Sequence, residues 1–412
     1  MGNFDMTRIM VGWLICCCFL LTSCVTPGMS SRVGPKVSSE MIETAKVDPR
    51  AAKPKLDIII PAFDPGIPAD PDEQEEERIW PELRRAEAVR FALKLKEKLE
   101  ATGQFGAVRV TPSSEATGDL YLMGKIIESN GLDVEIGVDV FDISGVPWYS
   151  EEYEHEVPKN FHQSIRNKDK DPYDPVFEAA AQDLVERLKS TDATELALLK
   201  SVTEMRFGAN FSEEAFAEYM KEDNGRIELV SLPSEADPML QRVRAIRVRD
   251  QLYVDNLQQH YEAFNAKMSP SYSVWLKQSQ EAEIALDEAE SRQTTQVVGG
   301  ALLAILGVGL AVASQNSGNA GRSAGAMIGA GAAGVGSVML FSESFKSGNE
   351  TKFHAETLEE LGKSLDSELA PQVVEFEGQT KELTGSAETQ FSEWRHFLKE
   401  IYDQEKTPEK QL

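Results

Sequence analysis

The apolar residues of this chain are laid out in three ways: unbroken runs, strict alternation, and helical spacing. Ile9 to Leu21 is an unbroken run, about as long as a secretory apolar core and too short to span a bilayer. Leu56-Asp57-Ile58-Ile59-Ile60 is a shorter run that reads as a buried strand. A loop rich in proline and acid, Asp64 to Glu77, separates it from a helix predicted over Pro81 to Thr102. There Ala86, Val89, Ala92, Leu93, Leu95 and Leu99 fall mostly on one face with Arg and Lys opposite, the spacing of a helix laid on a sheet. Pro81 suits the first turn, where its missing N–H costs nothing, and Gly103 suits the stop.

Alternation takes over next. Strands are predicted at Ala107 to Thr111, Leu120 to Glu128 and Leu132 to Asp142. In the last of these Val134, Ile136, Val138 and Val140 alternate with Asp133, Glu135, Gly137 and Asp139, so one face is wet. Asn130-Gly131 predicts a two-residue hairpin turn with positive φ tolerated at both positions. Asp142-Ile143-Ser144-Gly145 predicts a second turn, leading into a strand near Trp148 to Val157. Asp174 to Leu188 is helical, with Val176, Phe177, Ala180, Leu184 and Leu188 on one side.

Beyond Ser190 the spacing is almost wholly helical: Glu195 to Phe207, Ser212 to Glu222, Asp237 to Ala266 and Ser271 to Gln296, with turns expected at Asn224-Gly225 and Ser269-Pro270. Leu358, Leu361, Leu365 and Leu369 recur before Pro371, and Phe391, Trp394, Leu398 and Ile401 repeat the arrangement. The fold class expected is therefore α+β: a small α/β module of strand, helix, strand, meander and helix, followed by a mostly α-helical domain with a glycine-rich helical hairpin. The divisions are a leader over 1–23, a flexible tether over 24–55, the α/β module over 56–190 and a helical region over 191–296. The hairpin takes 297–341, C-terminal helices 342–405 and a tail 406–412.

The glycine-rich stretch contains two uncharged segments, Val297 to Ala313 and Ser323 to Phe341, joined by the polar Ser314 to Arg322. As helices they would be roughly 25 to 29 Å long, against a bilayer core of about 30 Å. Each glycine in a helix costs about 1 kcal/mol relative to alanine, so such helices need close packing or lipid. Gly321, Gly325 and Gly329 fall four apart, and Gly300 with Ala304 and Gly307 with Ala311 repeat that step, forming a flat groove for another helix backbone. This row resembles the glycine-zipper hairpin of outer-membrane lipoproteins such as SlyB and the rickettsial 17-kDa surface antigen. Arg322 departs from a purely apolar motif and sits where it can snorkel to an interface. Insertion into a membrane, zipper-like oligomer packing, and a tightly packed hairpin inside a water-soluble bundle all fit this pattern.

All four cysteines, Cys16, Cys17, Cys18 and Cys24, lie near the N-terminus. Leu21-Thr22-Ser23-Cys24 directly follows the first apolar run and resembles the bacterial lipobox. The resemblance implies cleavage before Cys24, acylation of that residue and, with Val25 next, delivery to the outer membrane facing the periplasm. Outer-membrane lipid, held through acylated Cys24, is then the first expected partner. Envelope proteins and further copies of the chain are the others. With 68 acidic against 42 basic residues, the net charge of -26 opposes nucleic acid and anionic lipid as partners.

Asp119-Leu120-Tyr121-Leu122-Met123-Gly124-Lys125-Ile126, then Val140-Phe141-Asp142-Ile143-Ser144-Gly145 and Trp148, resembles the pattern of periplasmic α/β modules. These include the N-terminal domain of TolB and the lipoproteins LpoB and CsgG. The resemblance implies a module that binds other envelope proteins and carries no catalytic residues. Candidate chemistry elsewhere is thin. The five histidines, His155, His162, His260, His354 and His396, lack metal-site spacing, so no metal or cofactor is expected. Asp70, Asp72, Glu73 and Glu75 to Glu77 lack the glycine and terminal glutamate of an EF-hand and read as a solvated loop. Gly329-Ala330-Gly331-Ala332-Ala333-Gly334 matches a dinucleotide fingerprint by letter but follows no strand. Arg242, Arg244, Arg247 and Arg249 divide over two sides of a helix and are expected to pair with nearby acids. The function expected is an envelope scaffold or assembly factor without catalysis; the alternative is an export or pore component whose oligomerised hairpins line a channel.

Overall fold

The computed structural model describes residues 53–291, 349–365, 372–376 and 378–404. Lipidation at Cys24, the zipper residues Gly300, Ala304, Gly307, Ala311, Gly321, Gly325 and Gly329, and Leu369 lie outside the described residues. The chain is a mixed α+β protein with a small five-stranded sheet and a largely helical C-terminal part.

Strands β1 (Ile58–Pro61), β2 (Val108–Thr111), β3 (Leu120–Ser129), β4 (Asp133–Asp142) and β5 (Pro147–Glu156) lie in the order β2-β1-β3-β4-β5. β1 pairs in parallel with β2 and β3, and β3, β4 and β5 form an antiparallel meander. Every residue of β1 is buried, as an isoleucine run in a central parallel strand should be. Between β1 and β2 run α1 (Pro71–Glu76) and α2 (Pro81–Thr102). The acidic loop therefore contains one short helix that the sequence did not signal. α2 has the predicted bounds, with Pro81 in its first turn and Gly103 ending it in the left-handed conformation at φ 64.

In the β3–β4 turn only Gly131 has positive φ; Asn130 instead accepts the backbone N–H groups of Leu132 and Asp133 on its side-chain oxygen. The second turn is built on Asp142, which accepts from Ser144 N and Val146 N and, through its other oxygen, from the Trp148 indole at 3.0 Å. Asp119 is fully buried and joins β3 to the next layer, accepting from Asp57 N at 2.7 Å and Thr203 Oγ1 at 2.6 Å. The residues that carry the α/β-module resemblance thus hold turns and strand ends.

After α3 (Asp174–Ser190) and α4 (Ala193–Phe211), the stretch read as a helix from Ser212 breaks up. α5 (Glu213–Phe216) is one turn, and Met220–Asp223 and Arg226–Leu229 form an antiparallel hairpin, β6 and β7. Asn224 and Gly225, at φ 52 and 77, make the tight turn between them, so this turn signal joins two strands instead of two helices.

α6 (Pro238–Ser291) is one helix of 54 residues that passes straight through Pro270, where a turn was expected. The ring removes one helical hydrogen bond at a cost of ~3 kcal/mol. Met268, Tyr272, Trp275 and Leu276 flank it and are all buried. Each large apolar side chain so buried contributes about 1.5–3 kcal/mol, and the cluster outweighs the defect. After the glycine-rich stretch come α7 (Asn349–Leu365), the hairpin β8 (Gln372–Phe376) and β9 (Gln379–Leu383), and α8 (Ala387–Gln404). The β8–β9 hairpin stands in a stretch expected to be helical throughout. Phe391, Trp394, Leu398 and Ile401 are buried on α8, as their spacing predicts. One cluster of buried side chains takes in residues from Leu56 to Tyr402. Among the described residues no helix is long and apolar enough to cross a membrane.

Candidate functional site

α2 is the hub of the molecule. Its apolar face lies on the sheet as predicted, but Arg84, Glu87 and Arg90, on the face expected to be wet, are also buried. α6 and α7, the two helices that bracket the glycine-rich stretch, both pack against α2 and against each other. Gly362 of α7 sits so close that a Cβ there would lie 2.1 Å from the Glu82 carbonyl oxygen. Only glycine permits that approach.

The contact between α2 and α6 is a sealed polar seam. Glu87 Oε1 accepts from Ser129 Oγ and from Tyr272 OH, both at 2.7 Å, and Arg84 Nε stands 3.6 Å from Oε2. Burial pushes the Glu87 carboxyl above its usual range against the pull of Arg84, Ser129, Tyr272 and Arg90. Arg90 lies 4.6 Å over the Tyr272 ring and donates to Asn265 Oδ1 and Asp171 Oδ2, both at 2.6 Å, and to Ser269 Oγ. Burial opposes the Asp171 charge, yet Arg90 and Lys94 outweigh it and hold that carboxyl below its usual range. Tyr173 OH accepts from Gly131 N at 2.6 Å, and a Cβ on Gly131 would meet the Gln280 backbone nitrogen at 2.7 Å. Sheet turn, α2 and α6 are thereby locked together around groups that water does not reach, which makes this cluster structural.

The sheet has two unlike edges. At β2 the long helix closes the edge: Gln258 Oε1 accepts from Val110 N at 3.1 Å, and Arg109 pairs with Asp255 at 2.6 Å. At β5 no further strand pairs among the described residues, and Asp133, Glu135 and Gly137 on β4 face Glu156, Glu154 and Glu152 in register. Burial, then repulsion from Glu152, Glu154 and Glu128, raises the Glu135 carboxyl above its usual range; Asp133 is raised by burial, with Glu128 and Glu156 adding to it. A charged edge of this kind resists pairing with stray strands.

Two clefts open elsewhere. One, about 300 Å³, lies between the loop carrying His162, Lys168 and Lys170 and the α6 residues Ser273 and Leu276. The other, about 360 Å³, is lined by Ser114, Glu115, Thr117, Tyr121, Ile143, Arg206, Asn210 and Arg395. Arg206 on α4 donates to the Ile143 carbonyl and Arg395 on α8 to the Glu115 carbonyl. Tyr121 forms the floor, stacked on Phe141 with centroids 5.4 Å apart and its hydroxyl donating to Ala116 O at 3.0 Å. Burial raises the Tyr121 phenol, while its hydrogen bond with Gly118 N and then the charges of Arg206 and Arg395 pull it down; both arginines line the cleft.

Of the sequence candidates, Arg244 pairs with Glu204 and Glu235, and Arg242 stacks 4.7 Å over Tyr402. His354 meets Ser271 Oγ at 3.0 Å between α7 and α6, and the other histidines are dispersed. Among the described residues no three His, Cys, Asp or Glu side chains are grouped to hold a metal ion. Sequence reasoning missed the Arg206–Arg395 cleft entirely, since those positions are far apart in the chain and neither stands in a motif. No protein-family model, curated protein or solved structure matches this chain.

Proposed function

We propose that this chain is a non-catalytic bacterial outer-membrane lipoprotein, held by an acylated Cys24 and serving as an envelope scaffold or assembly factor. The observation that carries the reading is the seating of both α6 and α7 on α2 of the α/β module, through the seam and the Gly362 contact. The two helices that flank the glycine-rich stretch in sequence are thereby both held by the partner-binding module, which is what a scaffold between membrane and periplasm needs. The lipobox resemblance and the small-residue steps Gly321, Gly325 and Gly329 support the two apolar attachments.

The test is metabolic labelling with palmitate followed by membrane fractionation. The native chain takes up label and sediments with outer membrane; Cys24→Ala loses the label and is not trimmed at the same place. A Cys24→Ala chain that is still labelled and normally trimmed refutes the anchor. Gly325→Leu with Gly329→Leu disturbs self-association or detergent extraction if the row packs as a zipper, and unchanged behaviour refutes that role. Steady conductance in reconstituted bilayers would replace the scaffold reading with the pore alternative.

A further inference from the structure

The geometry points to the cleft between α4, α8 and the loop before β3 as a binding site for a phosphate-type oxyanion. Arg206 and Arg395 reach it from two different helices; among the described residues neither stands within salt-bridge distance of an acid, although the buried Asp250 carboxyl lies near enough to feel the Arg395 charge. Each spends one N–H group on a backbone carbonyl, Ile143 O or Glu115 O, which fixes the guanidinium plane and leaves further N–H groups for a ligand. Other buried or half-buried cations of this chain, Arg90, Lys94, Lys98 and Arg244, are salt-bridged to acids. Two guanidinium groups lining one open cleft without a salt-bridged acid of their own favour an anion between them.

The remaining lining suits an oxyanion. The hydroxyls of Ser114 and Thr117 and the amide of Asn210 are donors beside the guanidinium groups. Guanidinium forks match phosphate oxygens in pairs, and such charge-assisted bonds are about twice as strong as neutral ones. Glu115 also lines the cleft, but its place on the exposed loop leaves its carboxylate free to turn to solvent. A volume of about 360 Å³ accommodates a phosphate with a small substituent, whether a free metabolite or a lipid headgroup.

The full chain in detergent is titrated calorimetrically at low salt with inorganic phosphate, and in parallel with glycerophosphoglycerol as a soluble headgroup. Saturable binding of either supports the site. Tighter binding of the diester assigns a lipid headgroup, and tighter binding of inorganic phosphate assigns a free ligand. Arg206→Gln and Arg395→Gln each lower affinity about tenfold or more. Asn210→Asp leaves both arginine clamps in place and adds a negative charge, so it lowers affinity without moving the melting midpoint, which separates ligand loss from misfolding. No saturable binding below about 10 mM of either probe overturns the proposal. Undiminished binding in all three variants, or tighter binding of acetate than of either phosphate probe, overturns it equally.

Discussion

Two places in this molecule gather arginines, and solvent separates their roles. In the seam, Arg84 and Arg90 are buried beside Glu87 and Asp171, and Arg90 lies over the Tyr272 ring. In the cleft, Arg206 and Arg395 are half-buried, bonded to carbonyls and within salt-bridge distance of no acid among the described residues, with the buried Asp250 acting on Arg395 at longer range. The first arrangement takes its partners from within the fold and holds elements together, although Arg84 Nη1 and Glu87 Oε2 have no hydrogen-bond partner. The second is satisfied only in part and therefore has capacity left for something outside the chain. Charge placement alone does not distinguish structure from binding; the fraction of each group's partners supplied by the fold does.

The largest expected effect is on the seam. Glu87→Ala leaves the buried Arg84 without its acid and Ser129 and Tyr272 without their acceptor, and should lower stability by about 3–5 kcal/mol, read as a shifted urea midpoint. A midpoint within experimental scatter of the native chain would remove the seam as a determinant of stability. Gly362→Leu comes next, since the side chain would press on backbone that cannot turn aside, costing about 1–3 kcal/mol. Faster amide exchange in α7 and the adjoining part of α2 should accompany it; exchange confined to α7 would show that α7 is not seated on the hub.

pH separates Asp171 in the seam from Glu135 near the β5 edge, because these two shifts have opposite signs. Asp171 is held low, so its contribution is present above the ordinary carboxylate range and is lost as acid protonates it through its lowered folded value. Glu135 is held high, so its contribution is present below the ordinary range and is lost as pH rises through its raised folded value. Exchange protection of β4 and β5 should therefore increase as pH falls through the raised Glu135 value toward the ordinary carboxylate range, and Glu135→Gln should flatten that dependence. An unaltered pH profile in Glu135→Gln would mean that the facing carboxylates do not interact. The smallest effect is expected at the cleft, where Arg206→Gln forfeits one hydrogen bond and should change stability by no more than about 1 kcal/mol. A loss as large as that of Glu87→Ala would make the cleft a second seam.

Local signals were legible where neighbours in sequence are also neighbours in space. The bounds of α2, the alternation of β4, the Asp142 turn and the buried stripe of α8 all follow from spacing and turn chemistry. The misreadings share one cause. The β6–β7 and β8–β9 hairpins are short strands with weak periodicity, and Pro270 is a breaker whose defect is outweighed by contacts more than a hundred residues away, such as Tyr272 with Glu87.

From the sequence alone came the α+β class, the order of elements in the sheet module, and the expectation that its wet strand face is acidic. Those properties depend on the period of apolar residues and on which residues accept positive φ, both readable within a few positions. Tertiary structure decided which charges are sealed and which are open. It roofed the basic face of α2 with α6, carried one helix through a proline, and brought Arg206 and Arg395 from separate helices to one cleft. Burial and partnership are sums over residues distant in the chain, and no local pattern contains them.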